Sequence, residues 1–115
     1  MNNVLDLARL EEAFEDDTAG IAELLEMALE TGAKHQRALV EGVAAGDAEM
    51  VRRAAHAIKG SSGNIGANTV MHLADELETR ARAGNLSGAG ERVQAIGAEY
   101  ERVAEAVHAY KAQVG

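Results

Sequence analysis

The sequence has no cysteine, no proline and no tryptophan, and its only aromatic side chains are two tyrosines and one phenylalanine. Each absence excludes something. Without cysteine there is neither a disulfide framework nor a thiolate metal site. Without proline, and with few aromatics and abundant alanine, the chain favours helices over strands. No stretch approaches the roughly 18 apolar residues of a membrane span. The opening Met1-Asn2-Asn3-Val4-Leu5-Asp6 lacks the basic region and apolar run of a secretory signal. A formal net charge of −8 disfavours nucleic acid or an anionic membrane as partner. The expectation is a cytoplasmic protein, and 115 residues suit one domain, residues 1–115, with a core of its own.

Apolar spacing predicts five helices and no strand. A short one covers about Val4 to Phe14, with Leu5, Leu7, Leu10 and Phe14 as its apolar positions. Asp16-Asp17-Thr18 offers caps for a second helix from Thr18 to Ala45. Its inward stripe is Ile21, Leu24, Leu25, Ala28, Leu29, Leu39 and Val43, and its other side carries Glu23, Glu26, Glu30, Lys34, Arg37 and Glu41. Gly46 ends it, and Asp47 can cap a third helix over about Ala48 to Ile65. Asn68 is the expected cap of a fourth, Thr69 to Ala83, with Val70, Leu73, Ala74, Leu77 and Ala81 inward. The glycine-rich stretch Gly84 to Gly90 is a loop. A fifth helix from Glu91 to Val114 places Val93, Ile96, Gly97, Tyr100, Val103, Ala104 and Val107 on one face. Such lengths joined by short turns imply an all-α fold, an antiparallel four-helix bundle with a short additional N-terminal helix.

What the acidic chain locally lacks is acid. From Met50 to Ala74 there is no Asp or Glu, while Arg52, Arg53, His56 and Lys59 all fall inside. At about 100° per residue, Val51, Ala54, Ala55, Ile58, Ser62 and Ile65 share the core face. His56 points nearly the opposite way, beside Arg52, Lys59, Gly60 and Gly63. Glycine inside a helix costs about 1 kcal/mol relative to alanine, so two on the histidine's face need a reason. Clearance for a second molecule is one. Lysine one turn on can offset an anion, and an imidazole nitrogen is a competent nucleophile near neutral pH. The set suits transfer of a phosphoryl group onto nitrogen. The plain alternative is an exposed surface histidine.

The segment His56-Ala57-Ile58-Lys59-Gly60-Ser61-Ser62 resembles the H-x-[LI]-K-G-[SA]-[SA] signature of histidine phosphotransfer domains, and Asn64-Ile65-Gly66-Ala67 resembles the N-[LI]-G-A that follows it. Leu73-Ala74-Asp75-Glu76-Leu77-Glu78 is similar to that family's L-x-x-x-L-E stretch, and Arg80-Ala81-Arg82-Ala83-Gly84 to its A-R-x-G ending. Gly63 departs from the alanine or serine common there. The resemblance implies a phosphorelay intermediate with His56 as phosphoacceptor, Lys59 attending the phosphoryl group, and Gly60 allowing a partner to dock; Arg52 and Gly63 join it as partner-binding candidates. It further implies a monomer without autonomous kinase activity. Its partners would be receiver domains of response regulators or of a hybrid histidine kinase. It would have no cofactor of its own, the receiver bringing Mg²⁺.

Other readings stay in view. One is a helical adaptor that keeps the fold without phosphorylation. Another is the dimerisation part of a histidine kinase, whose ATP-binding domain and dimer hairpin are missing here. Gly60 to Gly66 lacks the preceding strand and the Gly-Lys-Ser/Thr end of a nucleotide loop. His72 and Glu76 stand four apart but have no third metal ligand in view. His35 and His108 read as boundary residues, and no nucleophile–base–acid set is evident.

Overall fold

Three aspartates set where helices begin. The side chain of Asp6 accepts from the Arg9 amide at 3.1 Å, that of Asp17 from Gly20 at 3.0 Å, and that of Asp47 from Met50 at 3.0 Å. The computed structural model describes residues 4–114, so the reading of Met1 to Asn3 lies outside the described residues. Among those described there are five helices and no strand: α1 (Leu7–Ala13), α2 (Thr18–Ala45), α3 (Ala48–Asn64), α4 (Asn68–Arg82) and α5 (Ala89–Val114).

α2 and α3 end the same way. Gly46 and Gly66 take φ of 65° and 71°, a left-handed conformation open to glycine at little cost. The amide beyond each then folds back onto its helix, Asp47 to the Gly42 carbonyl at 2.8 Å and Ala67 to that of Ser62 at 2.9 Å. These reversals make neighbouring helices antiparallel.

Four departures from the expected boundaries have local causes. α1 starts only at Leu7, because Asp6 is its cap and leaves Val4 and Leu5 before it as buried anchors. α3 stops at Asn64, its final turn tightening through Ile65. Asn68 lies inside α4, and Ala67 caps it without any side-chain hydrogen bond, because the backbone reversal at Gly66 delivers the chain directly into the helix. α5 begins at Ala89, buried at 2 % exposure, which draws the helix start back into the expected loop.

α3 packs between α2 and α4, while α5 closes the bundle against both α4 and α2, and α1 lies on α2. At about 1.5 Å per residue, α2 runs nearly the full 43 Å length of the molecule. The core is aliphatic: Ile21, Leu25, Leu39, Val51, Ile58, Val70, Leu77, Ile96, Val103 and Val107 are fully buried. Leu24, Leu29, Val43 and Leu73 are only half-buried, at the flanks of their stripes. The face of α3 carrying Val51, Ala54, Ala55, Ile58 and Ser62 is inward. That fixes the outward face one half-turn away.

Candidate functional site

With Ile58 and Ala55 locked in the core, His56 has no inward option. Its side chain is 65 % exposed. Gly60, one turn on, is open: a Cβ built there would meet nothing within 4 Å. Gly63 is different. A Cβ there would come within 3.3 Å of Met71 Sδ on α4, and its carbonyl accepts from the Arg9 guanidinium at 2.7 Å. Its small size therefore also serves the contact with α4.

Sequence reading missed the acid at this site. Glu78 on α4 is 1 % exposed, and its carboxylate lies against the histidine. Oε2 is 2.8 Å from His56 Nδ1, and it also accepts from Arg82 at 2.7 Å. The other oxygen, Oε1, forms an ion pair with Lys59 Nζ at 2.8 Å. Lys59 also donates to Asp75 Oδ1 at 3.3 Å. The acid-free stretch of α3 is thus completed by two acids from α4. The signal was available: Glu78 stands four residues after Ala74 and three before Ala81, inside the inward stripe of its own helix.

Burial pushes the Glu78 carboxyl up, but the hydrogen bonds and charges of Lys59 and His56 outweigh it and hold the group below the ordinary carboxylate value. An ionised carboxylate only accepts. His56 Nδ1 must therefore carry the proton toward it, and in the neutral ring Nε2 keeps its lone pair on the exposed side. The bonds to Glu78 first and Asp75 second raise the Lys59 ammonium above its usual value, so it stays charged.

Arg52, expected to contact a partner, has an acidic neighbour on its own helix. It is held by Glu49 in a two-pronged pair, Nε to Oε1 at 2.5 Å and NH2 to Oε2 at 3.1 Å, so its charge is largely offset on its own helix. Gly60 to Asn64 is helical, with the turn only at Ile65 and Gly66, so no phosphate loop forms. His72 is exposed and Glu76 pairs with Arg92 of α5. Among the described residues no group of three His, Asp or Glu side chains could hold a metal. His35 is half-buried and lowered by burial and then by Lys34, whereas His108 is exposed and not at the boundary expected for it. Among the described residues no helix is long and apolar enough to cross a membrane.

The arrangement is a nucleophile without an enclosing pocket. It presents a free imidazole nitrogen, fixed from behind by a buried anion, with ammonium and guanidinium groups beside it and an open helix face.

Comparison with known proteins gives two likenesses. The family model for the Hpt domain matches residues 23–106. The crystal structure of histidine-containing phosphotransfer protein B from Pseudomonas aeruginosa PAO1 is similar with a TM-score of 0.82 and 31 % sequence identity, over 98 % of this chain and 96 % of that one. No curated protein matches the sequence.

Proposed function

The chain belongs to the Hpt domain family and is a histidine phosphotransfer protein of the phosphorelay type; from that premise we propose that His56 is its phosphoacceptor, exchanging a phosphoryl group with the aspartates of receiver domains. The observation that carries this reading is the pairing of an exposed Nε2 with an Nδ1 held 2.8 Å from buried Glu78.

The exposed lone pair of Nε2 attacks phosphorus as the bond to the receiver's aspartyl oxygen breaks, and the bonding electrons leave with the aspartyl carboxylate. The ring keeps its Nδ1 proton and gains positive charge, which the Glu78 carboxylate stabilises where it develops. Lys59 and Arg82 offset charge on the phosphoryl oxygens. In-line transfer of this kind needs positioning more than covalent chemistry from the protein. Open Gly60 lets the receiver's acidic site reach Nε2. Mg²⁺ held by the receiver would neutralise the phosphoryl group further. The reverse transfer to a second receiver uses the same atoms.

On this reading the span 1–115 is one domain acting as a monomer in the cytoplasm, with receiver domains of response regulators or of a hybrid kinase as partners. The test is incubation with a receiver domain phosphorylated on its aspartate. Acid-labile, base-stable label is expected on this chain, and none on the His56→Gln variant, whose helical content should be unchanged. Histidine-bound label that persists in the variant refutes the assignment. An unlabelled wild type would leave a helical adaptor.

A further inference from the structure

Lys59 is not idle while His56 is empty. Its ammonium lies between two carboxylates of α4 that grip it unequally. Glu78 is 1 % exposed and 2.8 Å away, whereas the Asp75 side chain is 57 % exposed and 3.3 Å away. Glu78 also holds His56, so one carboxylate sets the ammonium and the imidazole side by side. A phosphoryl group on Nε2 would therefore bring a dianion to an ammonium already occupied.

We propose that Asp75 is a positioning residue that holds Lys59 in reserve and yields it when His56 is phosphorylated. This rests on His56 being the phosphoacceptor. The physical case is a competition. An ammonium has three N–H donors. The Glu78 contact is shielded from water and persists. The Asp75 contact is solvated, so it is weak and screened by salt. The phosphoryl dianion carries more charge than Asp75 and displaces it, leaving Glu78 and the phosphoryl oxygens to share the lysine. Two consequences follow. Asp75 opposes loading, because its contact must be given up, and this favours passing the group on. The loaded protein also presents an unpaired Asp75 on α4 that the empty protein keeps paired, so a partner can sense the two states by charge.

The test needs no receiver. Phosphoramidate is a chemical donor: Nε2 bonds to its phosphorus, the donor's P–N bond breaks, and ammonia leaves. Loading of His56 is followed by mass in wild type, Asp75→Asn, Lys59→Ala and the double variant. Asp75 is exposed, so its replacement should leave the helical content intact, which circular dichroism checks. If Asp75 acts through Lys59, Asp75→Asn loads up to about fivefold faster than wild type at low salt, the gain disappears at high salt, and the same change in the Lys59→Ala background has no effect. Equal loading of Asp75→Asn and wild type overturns the proposal while leaving His56 as acceptor. An equal gain with and without Lys59 also overturns it, since Asp75 would then repel the phosphoryl group directly. Failure of wild type to load at His56 removes the reading beneath both.

Discussion

The seam between α2 and α5 and the edge between α3 and α4 are both antiparallel helix pairs, yet they are made of different contacts. At the seam, helices approach closely on glycine. A Cβ at Gly32 would land 2.6 Å from the Tyr100 ring, and one at Gly97 would land 2.9 Å from the Gln36 amide, which donates to the Val93 carbonyl at 3.0 Å. The Tyr100 hydroxyl then reaches to 3.5 Å from Ser62 Oγ behind α3. At the edge, apolar contact is joined by a buried carboxylate with three basic side chains around it. The seam closes by shape, whereas the edge adds a charge cluster to its apolar contact. Damage to the first should therefore register in stability, and damage to the second in transfer or in its dependence on pH.

The sharpest blow to the seam is Gly32→Ala. The new methyl must displace the Tyr100 ring, and overpacking of this kind costs about 1–3 kcal/mol, against a gain of up to about 1 kcal/mol in helix propensity. A lowered melting temperature is expected, with phosphoramidate loading of the folded protein unchanged. A wild-type melt would mean that the ring moves freely and the seam is looser than its geometry implies.

At the edge, Glu78→Gln should reshape the acid limb of stability. The Glu78 carboxyl is lowered in the folded chain from an ordinary value of 4.5. Its ionisation therefore adds stability that is complete above that value and fades as pH falls through the lowered one. Wild type should lose stability more steeply than the variant between about pH 5 and 3. Parallel acid limbs in denaturant melts would show that Glu78 gains nothing from its basic neighbours.

The smallest contrast lies within α3. Gly60→Ala should stabilise by up to about 1 kcal/mol, since the methyl meets nothing. Gly63→Ala should gain less, because Met71 Sδ must yield a few tenths of an ångström. Equal gains at both positions would place Gly63 back on the open face.

The fold was legible wherever a signal was local. α2 runs over the residues expected because Asp17 caps it and Gly46 stops it. The exposure of His56 followed from helical phase against Val51, Ala55 and Ile58. What escaped was whatever depends on a second helix. Glu78 is 22 residues from His56, so an acid-free segment read along the chain concealed the acid packed across from it. Gly60 and Gly63 look alike in helical phase, and only the position of Met71 separates them. Asn68 had the right chemistry for a cap, but the reversal at Gly66 had already oriented the chain.

An imidazole that is 65 % exposed has a consequence for timing. If His56 is the acceptor, as proposed, a phosphoryl group bound there stays open to water, and hydrolysis competes with delivery from the moment of loading. Protein partners meet at about 10⁵–10⁷ M⁻¹ s⁻¹, which at roughly micromolar concentration gives about 0.1–10 encounters per second. The share of the signal that is delivered rather than lost to water is then set by how abundant the receivers are. A cell that dilutes the receiver then loses a larger share of the message to water without touching the carrier.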